Sequence, residues 1–199
     1  MPAVSGIKEW IQEGPVHARR MEVRTYPAGE GKLVVEGRLR DERFVTGYHW
    51  NGEAFEPGLI HNLAVRFLVG EVPPVILDAE AEMLDVPNER CPTTLDSIQA
   101  MKGLSITSGY GEEVRERMGG VKGCAHLTQL VMIMGTAALH GAWIAGSREP
   151  RPVPTTPEAF AGLSRLVNTC RLWREDGPIL AELREEMQRI AGKDPEAED

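Results

Sequence analysis

The 199-residue chain carries 22 Lys+Arg against 30 Asp+Glu, a formal charge of −8, with 42% hydrophobic and 26% charged residues. That length and balance describe one compact domain with appendages, large enough to bury a core. The acidic excess argues against nucleic acid and anionic lipid as partners, because non-specific attraction to phosphate needs a basic surface.

Residues 1–16 read as a lead-in that ends at Gly14-Pro15, with Ile7, Trp10 and Ile11 at helical spacing. Acidic Glu9 and Glu13 and the lack of a continuous apolar run do not fit a secretory segment, so a cytoplasmic location is expected. From Arg19 the period becomes two. Met21 to Tyr26 and Lys32 to Leu39 alternate on either side of the turn signal at 27–31, the pattern of a hairpin. Residues 46–58, rich in Gly and aromatic side chains, predict a long loop. Asn62 to Val69 and Val75 to Met83 supply two further strands across 70–74, giving about four antiparallel strands.

After Cys91-Pro92 the period turns helical. Thr93 or Thr94 is placed to cap a helix through Met101 that Gly103 ends, and Tyr110 to Met118 forms a second, closed by Gly119-Gly120. A long apolar helix follows from about Cys124. Its segment Leu127 to Ala145 has no formally charged side chain and approaches the roughly 20 residues that cross a bilayer. Thr128, Gln129, Thr136 and His140 interrupt it and no basic cluster flanks it, so a core helix is expected and no membrane. Four prolines stiffen a connector at 148–157. A helix opening at Pro157, with Phe160, Leu163, Leu166 and Val167 on one face, and another over Ile179 to Ile190 complete helices at 158–191 that pack on the 17–147 core; 192–199 is a solvated acidic tail. Strands first and helices after predict an α+β fold, helices covering one face of an antiparallel sheet.

Three cysteines, Cys91, Cys124 and Cys170, are an odd set better suited to thiols or metal ligands than to a disulfide framework. Cys170 reads as a packing residue at a helix end. Gly123-Cys124-Ala125-His126-Leu127 stands at the mouth of the apolar helix, where the positive end of the helix dipole stabilises a thiolate. The plainer reading is a buried cysteine with a capping histidine. His126, two residues from Cys124, diverges from it on a helix and converges with it where the chain is still entering one. Cys91, Cys124, His126 and His61 match a tetrahedral zinc site in ligand type, without the Cys-x-x-Cys spacing of a ribbon or finger. The sequence requires no cofactor, and zinc is the metal such a set would take.

A second group is His17, Arg19, Arg20, Asp41 and His61. An aspartate that orients His61 makes a general base for activating water; a solvated turn aspartate and a strand-cap histidine are the alternative. Arg19 and Arg20 alternate, so at most one lines a given face, where its planar fork grips a carboxylate or phosphate. Trp50, with Tyr48 and His49, forms either an aromatic lid over a ligand or rings packed on an exposed loop. His140 reads as a core or interface histidine, and Met132, Met134 and Trp143 as core. No dinucleotide, phosphate-loop, serine-hydrolase or His-Glu-x-x-His motif occurs.

Taken in order, His17-Ala18-Arg19-Arg20, Gly37-Arg38-Leu39-Arg40-Asp41, His61, Ile76-Leu77-Asp78-Ala79, Cys91-Pro92, Gly103-Leu104 and Gly123-Cys124-Ala125-His126-Leu127 resemble the bacterial domain-of-unknown-function family 2889 over about residues 17–145. The resemblance implies an association with catabolism of aromatic acids and their coenzyme A thioesters, and hence a small hydrolase acting on an acyl-CoA thioester. Its catalytic set would be Asp41, His61, Cys124 and His126, with an activated water or a cysteine nucleophile, and its substrate contacts His17, Arg19, Arg20 and Trp50. The order of elements is more distantly similar to the NifU/SufE-like iron–sulfur scaffold fold, which implies instead a metal-binding accessory protein without turnover. That pattern asks for a cysteine where this chain has His61. Gly135, Ala137, Ala138 and Gly141 would let the long helix approach another in a homo-oligomer.

Overall fold

In β-structure successive side chains point to opposite faces, so a strand that alternates apolar and charged residues buries one face and wets the other. Four long segments obey this rule in the computed structural model, which describes residues 6–150 and 166–192. Strands β1 (His17–Pro27) and β2 (Leu33–Arg43) form the first hairpin. A two-residue pair, β3 (Gly47–Tyr48) and β4 (Ala54–Phe55), lies inside the expected loop, and β5 (Gly58–Gly70) and β6 (Val75–Asp85) follow. The four long strands form one antiparallel sheet in the order β1-β2-β5-β6.

The inner face carries Val35, Leu39, Leu63, Val65 and Phe67, all 1% exposed or less. The opposite face is ionic: Arg66 on β5 donates to Glu36 on β2 at 2.7 Å and to Glu80 and Glu82 on β6 at 3.2 and 2.8 Å. Glu36, Arg66 and Glu80 are direct cross-strand partners, the positions where opposite charges support a sheet.

The 22-residue helix α2 (Ala125–Gly146) covers the inner face, and helix α1 (Tyr110–Met118) packs against α2 and closes the same core. Cys91–Met101 is a 3-10 segment, not the expected capped α-helix. Thr93 and Thr94 donate their hydroxyls back to the carbonyls of Arg90 and Cys91, both at 2.8 Å, and so do not accept the free amides of a helix start.

Helix α2 is apolar on more than its buried side. Leu127, Leu130, Val131, Met134 and Ala138 are fully buried, whereas Ile133, Leu139, Trp143 and Ile144 are 40–66% exposed. Met132 packs partly buried against the core, but Trp143 stands on the outer side and is not the core residue expected; His140, read as a core or interface histidine, is exposed and lies outside the core. By length and composition this helix is long and apolar enough to cross a membrane, and 44% of its apolar window is buried within the protein. Two of its small residues, Gly135 and Gly141, are taken up inside the chain. A Cβ on Gly135 would lie 2.4 Å from the Tyr110 ring, and one on Gly141 2.5 Å from the Thr25 side chain.

By its own contacts the chain divides into two units, Met1–Arg148 and Glu149–Asp199. In the second, 166–177 is a run of turns in which Cys170 is exposed, not packed, and α3 (Pro178–Ala191) occupies the expected span. Phe160 and Leu163 of the expected preceding helix lie outside the described residues, and Leu166 and Val167 stand in the turns.

Tyr110 cannot yield easily at Gly135, because its hydroxyl donates to the Val131 carbonyl at 2.9 Å inside the core. Gly135→Ala is therefore expected to cost about 1–3 kcal/mol by overpacking, despite the better helix propensity of alanine. Exposed Thr136→Ala should stay within about 0.5 kcal/mol, both read from denaturant unfolding midpoints.

Candidate functional site

The inward parity of β2 runs Leu33, Val35, Gly37, Leu39 and then Asp41. A carboxylate thus occupies the next position after a fully apolar row and is 1% exposed, the charged side chain that is buried among the described residues. An isolated ionised carboxylate in such a place costs several kcal/mol, so the neighbours must compensate it. Register supplies them: Arg19 on β1 and His61 on β5 are the two direct cross-strand partners of Asp41.

Arg19 grips the carboxylate with its planar fork, Nε to Oδ1 and Nη2 to Oδ2, both 2.6 Å. Its remaining Nη1 donates to Gln129 Oε1 on α2 at 2.6 Å, which ties the helix to the row. His61 Nδ1 lies 3.0 Å from Asp41 Oδ2. An ionised carboxylate only accepts, so Nδ1 carries the proton and the neutral ring keeps Nε2 as its acceptor. The β2–β5 ladder shifts register immediately beyond Asp41, a bulge next to the row, and pairing resumes at Glu42 with Leu59.

Helix α2 brings two more groups. Cys124 precedes the helix with extended backbone (φ −96°, ψ 129°), and this non-helical step lets a pair two residues apart converge. Cys124 Sγ is 3.8 Å from His126 Nδ1, and His126 Nε2 is 3.8 Å from Asp41 Oδ2. The His61 and His126 rings lie 3.8 Å apart between centroids, tilted by 36°. His17 Nε2 approaches Asp41 Oδ1 at 3.6 Å, its side chain 44% exposed.

The charges follow from this packing. The hydrogen bond from the Arg19 guanidinium, against the opposing cost of burial, holds the Asp41 carboxyl below the usual carboxylate value, and the same bond raises Arg19. Burial, with the positive charge that His61 would carry when protonated and that of Arg19, pushes His126 below the ordinary imidazole value.

Of the candidate residues, His17, Arg19, Asp41, His61, Cys124 and His126 come together, and Arg20, Trp50 and Cys91 do not. Arg20 points to the opposite face and pairs with Glu42 at 3.0 Å. Trp50 is 98% exposed and Tyr48 71%, so neither is packed on the site; the ring that packs in this hairpin is Phe55, against His49 and under Arg43. The expected zinc set of His61, Cys91, Cys124 and His126 is replaced among the described residues by Asp41, His61 and His126, whose ligand atoms all lie within 4.8 Å of one another. By distance this trio suits a divalent ion. By charge it is poorly suited, because the Arg19 fork already neutralises both carboxylate oxygens and would stand beside the cation. Gln129, read in the sequence only as an interruption of an apolar run, is the residue that was missed. Its signal is a neutral polar side chain three positions after His126, on the same side of the helix.

The model of the family described as "Protein of unknown function (DUF2889)" matches residues 17–140, and the chain belongs to that family. No curated protein and no solved structure matches it, and the likeness to the iron–sulfur scaffold fold finds no support in these comparisons.

Because the Asp41 value is depressed on folding, its contribution to stability is complete above the unfolded carboxyl value near pH 3.9 and is lost as pH falls through the lower folded value. Asp41→Asn should lower stability by about 1–3 kcal/mol at pH 7 and flatten the acid limb below about pH 4. Unfolding midpoints measured across that range check both effects; an unchanged acid limb would show that Asp41 does not carry them.

Proposed function

We propose that this protein is a small hydrolase that cleaves an acyl thioester, with acyl-CoA, including aromatic acyl-CoA, as its substrate class. The observation that supports this reading is the Arg19–Asp41–His61 row, which fixes one imidazole by Nδ1 and leaves Nε2 to take a proton. Hydrolysis of a thioester needs an activated water, a donor for the developing oxyanion and a protonated leaving thiol. In this reading His61 Nε2 removes the proton of a water attacking the acyl carbon, and Asp41 holds the imidazolium that forms. The free amides of the first turn of α2, beside Cys124 and His126, meet the oxyanion. The proton on His61 then passes to the departing thiolate.

Arg19 serves here as a positioning residue. Its fork and Nη1 are engaged by Asp41 and Gln129, and Arg20 lies on the other face of the sheet. His17, its side chain 44% exposed beside Asp41, reaches solvent, as do the partly exposed side chains of Arg19 and His126. The substrate class itself is the one the family resemblance implies. A second reading, a metal-binding protein without turnover, draws on the Asp41, His61 and His126 distances and runs against the Arg19 charge.

Benzoyl-CoA hydrolysis followed by release of free thiol should fall about 10²–10⁴-fold in His61→Gln and in Asp41→Asn, each checked for folding by circular dichroism. Stoichiometric zinc in the purified protein with no hydrolysis of benzoyl-CoA or short aliphatic thioesters would replace this reading by the second.

A further inference from the structure

One base is sufficient to activate a water, yet two imidazoles converge on Asp41. His61 is bonded to the carboxylate at 3.0 Å, whereas His126 stands 3.8 Å from the same oxygen and turns its other nitrogen to the Cys124 thiol. The sulfur is held firmly there. Ahead of it, Gly123 is seated so closely on the Met118 carbonyl and the Ser97 hydroxyl that a Cβ would lie 2.7 and 2.9 Å from them. Behind it, the Cys124 carbonyl accepts from both the amide and the hydroxyl of Thr128, each at 2.9 Å. The thiol is only partly buried. Cys91, equally half-buried, lacks such a partner among the ligating groups that converge on Asp41.

We propose that Cys124 is a nucleophile paired with His126 through the Cys124–His126–Asp41 line, and that it receives the acyl group before water does; the acyl-transfer part of this proposal rests on the hydrolase reading above. In the first step the Cys124 Sγ–acyl carbon bond forms and the bond from the acyl carbon to the carrier sulfur breaks. The thiol proton moves to His126 Nδ1 and from there to the departing carrier thiolate. In the second step a water, deprotonated by His61 Nε2, adds to the acyl carbon. The bond to Cys124 breaks, the acid leaves and the proton returns to Cys124 by way of the imidazoles. No oxidant or further reactant is needed. The two imidazoles then divide the two half-reactions, with one carboxylate orienting both.

The division predicts where the acyl group accumulates. In His61→Gln incubated with benzoyl-CoA, intact-protein mass should show one added benzoyl group, mapped by proteolysis to Cys124 and absent from Cys124→Ala and Cys124→Ser. Iodoacetamide at pH 7 tests the pair without any thioester: Cys124 should alkylate about tenfold faster than Cys91, and His126→Gln should remove the difference. Hydrolysis within twofold of the native rate in folded Cys124→Ala, with no adduct in His61→Gln, would overturn the proposal and leave direct attack by water standing. Absence of hydrolysis and of adduct, with the fast His126-dependent alkylation present, would support the thiol pair and count against the thioester reading. Alkylation of Cys124 no faster than Cys91 would overturn the pair itself.

Discussion

A carboxylate sits where the apolar rows of the sheet lead one to expect another leucine, and the cost of burying Asp41 organises everything around it. That cost is met by charge and by geometry together: a guanidinium on one neighbouring strand takes both oxygens, and an imidazole on the other takes one of them again. Because both partners come from direct cross-strand positions, the row needs no loop to assemble it. The backbone ladder that defines the sheet also sets the spacing of the three side chains. A site built on strands is held more precisely than one built on loops.

Helix α2 completes the cluster from above. Its apolar face seats it on the sheet, and its first turn delivers His126 and Gln129 to the row, Gln129 by a bond to Arg19. The outer end of the helix has no such duty, and there Trp143 and Ile144 remain exposed. Helix packing and site geometry are thus one problem. A change that lifts α2 from the sheet, such as crowding at Gly135, moves His126 and Cys124 relative to Asp41 as well.

The strands and the long helix were legible because each is long and strongly periodic. The period-two alternation even contained the burial of Asp41, since it shares the parity of Leu39; counting from the strand end instead suggested a solvated turn. Register is a long-range property, and the pairing of Arg19 and His61 with Asp41 follows from how 11- and 13-residue strands align, which no local pattern states. Ligand type carries no distance, and the set that converges holds Asp41 with His61 and His126 in place of Cys91 and Cys124. Trp50 shows the opposite limit: an aromatic residue in a loop suggested a lid, and a hairpin of two-residue strands turns it into solvent. The threonines after Cys91 read as caps, but with Pro92 at the start of the segment and their hydroxyls bonded back to carbonyls, the chain takes the tighter 3-10 path.

The account turns on one imidazole held in one tautomer by one carboxylate. Nitrogen-15 correlation spectra of His61, recorded on the native protein at a pH where the ring is neutral, read this directly. The structure predicts a protonated Nδ1 and an unprotonated Nε2, with the preference lost in Asp41→Asn. A protonated Nε2 with Nδ1 free, or a ring shifted to a metal-bound signature that chelator reverses, would contradict it.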